Sequence, residues 1–161
     1  MTADLTAHTE SERRSAETAR RLVLEQHLGL RKLLMMGLAH ANASGDEQEP
    51  GHEPLRALVG EIHAAFVQHL VDEEALIFPI LEDDLPVGPH RAELIREEHA
   101  RQRAELEALC AWPEDGSDRA LGLRFQELAA SLIADIVHEE REVLTPEVIR
   151  DDLIVIDQCG G

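Results

Sequence analysis

Only three Pro/Gly-rich clusters break the chain before Pro146: ASGDEQEPGHEP at 43–54, DDLPVGP at 83–89 and WPEDGS at 112–117. Four long stretches without turn chemistry lie between and around them, which leaves room for long helices and little for hairpins. The apolar residues point the same way. With no Tyr, three Phe and one Trp in 161 residues, the hydrophobic content is almost wholly aliphatic and rich in Leu and Ala, suited to helices rather than to a sheet. The spacing predicts helix 1 from about Ser11 to Ala41, helix 2 from about Glu53 to Leu81, helix 3 from about Pro89 to Ala111 and helix 4 from about Ser117 to Leu144. Connections this short favour antiparallel neighbours, so the expected fold is all-α: an antiparallel up-down-up-down four-helix bundle with a short C-terminal extension. One domain is expected, with a polar N-terminal arm at 1–14, the bundle at 15–145 and a tail at 146–161. The tail begins with Thr-Pro and contains LIVI, readable as a short helix or as an extended strap over the bundle.

A formal net charge of −18 repels phosphate backbones and anionic lipid, so neither nucleic acid nor a membrane is an expected partner; cations are. The N-terminal MTADLTAHTESERRSAETARR has no apolar stretch and no run of about 18 apolar residues occurs elsewhere. A cytoplasmic location is therefore expected. Cys110 and Cys159 are too few for a disulfide framework and lack the spacing of a thiolate zinc site, which fits a reducing compartment. Cys110 reads as a small core residue, Cys159 as an exposed thiol in the CGG tail.

The nine histidines and 33 acidic residues then become the question. His-x3-Glu occurs three times, at His8–Glu12, His69–Glu73 and His138–Glu142, against roughly two expected by chance, so the spacing alone is weak. Unrolling each helix at 100° per residue is more informative. His27 falls among Val23, Leu24, Leu30, Leu34 and Leu38; His69 and Glu73 fall among Leu58, Ile62, Phe66 and Ile80; His99 falls with Ala92, Ile95 and Leu106. His138 and Glu142 align with Ser131, Ala134 and Asp135, at the flank of their helix's apolar stripe. His8, His40, His52, His63 and His90 lie in polar arms, at helix ends or on other faces, and read as bystanders.

A buried ionised carboxylate costs several kcal/mol unless compensated, and several buried imidazoles add to that cost. One local partner for each is the plain reading of any single core histidine. Four histidines, one per helix, with two glutamates ask for a common partner. That set is too large for one tetrahedral zinc but suits two metals, and nitrogen and oxygen donors without thiolate suit iron or manganese. Asp135, one turn before His138, could orient that imidazole or make a surface ion pair. Helix 4 strains the simple geometry, because His138 stands about 13 Å of helix too far from its turn relative to His99. The expected remedy is a packed helix 4 that starts nearer Gly122, with 112–121 as a longer loop.

The ordered set EQH (His27), His69-x3-Glu73, EEH (His99) and His138-x3-Glu142 resembles the hemerythrin-like HHE cation-binding family over about residues 20–145. The resemblance implies an up-and-down four-helix bundle with an oxo- or hydroxo-bridged diiron centre, one iron on His27 and His69, the other on His99 and His138, with Glu73 and Glu142 bridging. The oxygen-carrying hemerythrins have a second histidine four residues after the one in helix 3; this chain has Arg103 there, which favours a more open, reactive or sensory site. Ferritin-like bundles need Glu-x-x-His on two helices, and the one such match, Glu49-x-x-His52, lies in a linker. Three functions follow as expectations. The first is a diiron protein that binds or senses dioxygen, nitric oxide or hydrogen peroxide. The second is a diiron enzyme that decomposes peroxide or oxidises a small organic substrate. The third is a metal-free helical interaction module.

Overall fold

The computed structural model describes residues 2–43, 53–84, 88–146 and 148–149, with side chains in the first helix from Ala16 onward. The described residues form five helices and no strand: α1 Thr2–Ala43, α2 Glu53–Leu76, α3 Phe78–Asp84, α4 Gly88–Cys110 and α5 Asp118–Glu142. His8, Glu12, His52, Cys159 and the LIVI segment lie outside the described side chains.

Local chemistry sets the boundaries. Ser117 caps α5 from an extended backbone, its side chain accepting from the Ala120 N–H, which satisfies one of the donors a helix start leaves orphaned. Pro89 stands in the first turn of α4, where a missing N–H does no harm. Pro79 is different. The sequence predicts an unbroken helix 2 to Leu81, whereas the chain is interrupted at Ile77 and resumes as α3. A proline inside a helix removes one hydrogen bond and crowds the preceding turn. The bonds from Ile77 N to Glu73 O (2.8 Å) and from Leu81 N to Ile77 O (3.0 Å) survive around it, so the axis is nicked rather than ended.

The expected late start of helix 4 is also corrected, since α5 is helical from Asp118. Along their axes, α5 begins roughly ten residues, about 15 Å, further below the level of His99 than α4 ends. Residues 111–117 span that height through a turn closed from Gly116 N to Pro113 O (3.0 Å), held where Arg56 donates to the carbonyl oxygens of Trp112 (3.0 Å) and Pro113 (2.9 Å) and pairs with Asp118 (3.6 Å).

Helix α1 packs against α2 and α5, and α4 packs against α2, α3 and α5, so the helices form a bundle around one interior. That interior is divided. One apolar cluster gathers Leu30 and Leu34 of α1 with Leu55, Ile62 and Leu70 of α2, Leu106 of α4 and Phe125 and Leu132 of α5. The other gathers Ala16, Ala19 and Val23 with Ile77, Phe78, Leu81, Ala92, Val143, Leu144 and Ile149. The buried polar residues His27, His69, Glu73, His99, Gln102 and Glu139 occupy positions between the two on every long helix. Past α5 the chain turns at Thr145, with Ile149 N bonded to Thr145 O at 3.0 Å, and seats Ile149 in the second cluster.

Candidate metal centre

Five side chains meet in the layer between the clusters: His27 from α1, His69 and Glu73 from α2, His99 from α4 and Glu139 from α5. None is more than 7% exposed. His69 and Glu73 are one turn apart and so point the same way. Glu139 lies about five turns from Leu121 and on the face of Leu128 and Leu132, which puts a carboxylate in the middle of the apolar stripe of α5.

Carboxylates and imidazoles alternate around the cluster. Glu139 Oε2 is 3.2 Å from His27 Nε2, and its Oε1 is 3.4 Å from His99 Nε2. Glu73 Oε2 is 3.4 Å from His69 Nε2 and 3.6 Å from His99 Nε2. The atoms fall into two groups, His27 with His69 and Glu139, and Glu73 with His99 and Glu139, each with its ligand atoms within 4.8 Å of one another. Glu139 belongs to both, one oxygen turned to each side.

Buried polar atoms are normally hydrogen-bonded, and one left alone costs about 1–3 kcal/mol. Here His27 Nε2 and both oxygens of Glu73 are buried without a hydrogen bond. Three orphaned nitrogen and oxygen atoms, one in the His27 group and two in the Glu73 group, fit cations.

The far side of each ring supports this. His27 Nδ1 lies 3.3 Å from Glu140 Oε1, and that carboxylate is gripped by both terminal nitrogens of Arg31 at 2.6 and 3.0 Å. His69 Nδ1 lies 3.4 Å from Gln26 Oε1, while Gln26 Nε2 donates to Asp72 at 2.6 Å. His99 Nδ1 faces Glu74 Oε1 at 3.9 Å. For His27 and His69 the outer acceptor suits a proton on Nδ1 with the Nε2 lone pair turned inward, the arrangement that orients imidazole ligands, whereas His99 Nδ1 has no hydrogen bond. The electrostatics agree. Burial, then the nearby imidazole of His27, pulls His69 down to about 4, so it is a free base at neutral pH. Burial pushes Glu139 up, but the rings of His27 and His99 outweigh it and hold the carboxyl at about 2. Glu73 is raised, by burial first and then by Glu139 and Glu74. A cation among these groups would replace that proton.

The sequence pattern places six residues at the site: His27, His69, Glu73, His99, His138 and Glu142. The structure brings the first four together and leaves His138 and Glu142 exposed, outside the cluster, with Glu139 in their place. The reason is rotational. His138 precedes Glu139 by one residue, about 100° around the helix, so only one of the two can face the core. The flank position of His138 was the signal, and unrolling α5 around Glu139 instead finds the buried carboxylate.

Other assignments also change. Asp135 accepts from Gln102 and, at 3.5 Å, from Ser131 rather than from His138. Burial, then Glu98 and Glu139, raise its carboxyl. Cys110 is exposed at the rim of the bundle, its thiol 3.9 Å from the Val59 oxygen, not in the core. Arg103 is half-buried on α4, and its Nε has no hydrogen-bond partner. Between α4 and α5 runs a groove of about 400 Å³, walled by Leu94, Ile95 and Val143, with Glu98, Asp135 and His138 along it. His99 and Glu139 form part of its lining.

No described helix is long and apolar enough to cross a membrane. No curated protein and no solved structure matches the chain. The hemerythrin HHE cation-binding domain matches residues 18–146, the whole span that carries the five converging side chains. The chain belongs to the hemerythrin HHE cation-binding domain family.

Proposed function

We propose that this chain is a non-haem diiron protein that binds or senses a small oxidant, dioxygen, nitric oxide or hydrogen peroxide, at the His/Glu cluster. One observation carries the reading: Glu139 presents one oxygen to the His27 and His69 group and the other to the Glu73 and His99 group, as a carboxylate bridging two cations does. Two adjacent irons with vacant positions bind or reduce such molecules. The residues themselves supply the rest. The Nδ1 acceptors Glu140 and Gln26 fix their rings, the buried layer keeps bulk water away, and five protein ligands leave more positions open than six would. In this reading α1, α2 with α3, α4 and α5 are the four antiparallel legs of the bundle, and the protein works in the cytoplasm without nucleic acid or membrane partners.

A second reading, an enzyme that decomposes peroxide or oxidises a small organic molecule, is favoured by the groove, which has room for such a substrate beside His99 and Glu139.

The test is metal content with absorption spectra on protein from iron-supplemented cells. The expected result is about two irons per chain with oxo-bridge charge-transfer bands, lost in His69→Ala and Glu139→Ala and kept in His138→Ala and Glu142→Ala. Turnover of peroxide would move the reading to the enzyme. A stable, colourless, metal-free protein would leave the helical interaction module.

A further inference from the structure

Eight large apolar side chains are exposed among the described residues, and four of them, Leu22, Leu28, Met35 and Met36, belong to α1. Their exposures run from 38% to 60%, so the bundle does not cover them. Unrolled at 100° per residue, the four fall in one arc of roughly 140°, on the side of the helix away from His27. Glu25 and Lys32, both exposed, run along the middle of that arc, seven residues and therefore roughly 20° apart. Neither side chain has an ion pair or a hydrogen bond among the described residues.

Charge also sets α1 apart. It carries six Arg and Lys against five Asp and Glu, whereas every other described helix is net negative. Two copies of a chain with a net charge of −18 repel one another through those helices, and least through α1.

We infer that the outer face of α1 docks a second copy of the chain, helix against helix and antiparallel, about a two-fold axis that passes between positions 28 and 29. In that register Glu25 faces the second copy's Lys32, and Lys32 faces the second copy's Glu25, so one symmetry operation makes two ion pairs. Leu22 stands level with the second copy's Met36, and Leu28 with the second copy's Leu28, each within one residue, about 1.5 Å, of height. A parallel pairing would instead set like charges side by side. The contact is one helix wide, short of the roughly 800 Å² per partner of a standard interface, so the dimer comes apart on dilution. His27 lies level with the axis on the inner side of the same helix, which sets the two His/Glu clusters back to back across the pair.

The experiment is analytical ultracentrifugation of the full chain over roughly 1 μM to 1 mM, with circular dichroism to confirm the helix content of each variant. Wild type should pass from monomer to dimer as the concentration rises. Glu25→Lys and Lys32→Glu change the net charge in opposite directions, yet each should weaken association by about tenfold or more, because each sets like charges face to face. Combining the two substitutions restores opposite charges and should recover the dimer. Leu28→Glu should abolish it, and Leu123→Glu, at an equally exposed leucine on α5, should leave it intact. A wild-type monomer throughout, a dimer unmoved by Leu28→Glu, or a double variant no better than the single ones overturns the inference. A monomer that associates only once residues 150–161 are removed also overturns it, and makes the tail of the same chain the cover of this face.

Discussion

His69 shows how a ligand residue taxes the fold that holds it. Its folded-state value is depressed to about 4 from 6.5, so the unfolded chain binds a proton that the folded chain refuses. The associated stability is complete above about pH 6.5 and drains away as the pH falls toward 4, by on the order of 3 kcal/mol for this residue. Urea midpoints of metal-free protein across that window should fall with acidification, and the slope should flatten in His69→Gln, which cannot take up the proton. An equal slope in the variant would mean that another group governs the acid transition. Glu73, raised by burial and by Glu139 and Glu74, is the counterpart. A cation would favour the ionised form of Glu73, whereas His69 is already the free base that a metal needs at neutral pH.

Among the elements, α1 and α5 meet where Gly37 faces the ring of Phe125. A Cβ on Gly37 would stand 2.6 Å from Phe125 Cε1, and the ring is fully buried with nowhere to go. Gly29 and Gly60 are exposed, with nothing near an added Cβ. Gly→Ala in an open helix stabilises by roughly 0.5–1 kcal/mol, and overpacking costs about 1–3 kcal/mol. Gly29→Ala and Gly60→Ala should therefore raise the melting temperature, and Gly37→Ala should lower it despite the same gain in propensity. Calorimetry on the three variants distinguishes packing from propensity. The element scale also shows what the sequence makes legible. The all-helical class and the places where the long helices break could be read because Pro/Gly clusters and aliphatic stripes act locally. The burial of His27, His69, Glu73 and His99 could be read because each lies inside an unambiguous stripe. Glu139 is hidden in the sequence because the pair motif His138-x3-Glu142 lies on the neighbouring face of α5, and the break at Ile77 is hidden because Pro79 acts through the backbone without changing the apolar period. The path of 111–117 depended on Arg56, far away in sequence.

For the whole molecule, 33 acidic against 15 basic residues concentrate repulsion in a small bundle, with buried carboxylates at its centre. Cation binding relieves charge that the fold otherwise carries unpaired, and any ligand that binds only the folded state stabilises it by mass action. The division of the interior makes that stabilisation uneven. Besides the middle of α1, the cluster with Ala16, Val23, Phe78, Ala92, Leu144 and Ile149 draws on the short α3, the first turns of α4 and the turn after α5, whereas the other is drawn from the four long helices. Removing metal should raise amide hydrogen exchange across 16–23, 77–92 and 143–149 far more than across 55–66 and 121–132; equal increases would show that the two clusters open as one unit. The polar layer then works as a seam between two halves of unequal firmness. A chain stitched at that seam by its own cargo would signal whether it is loaded through how loosely one end of it breathes.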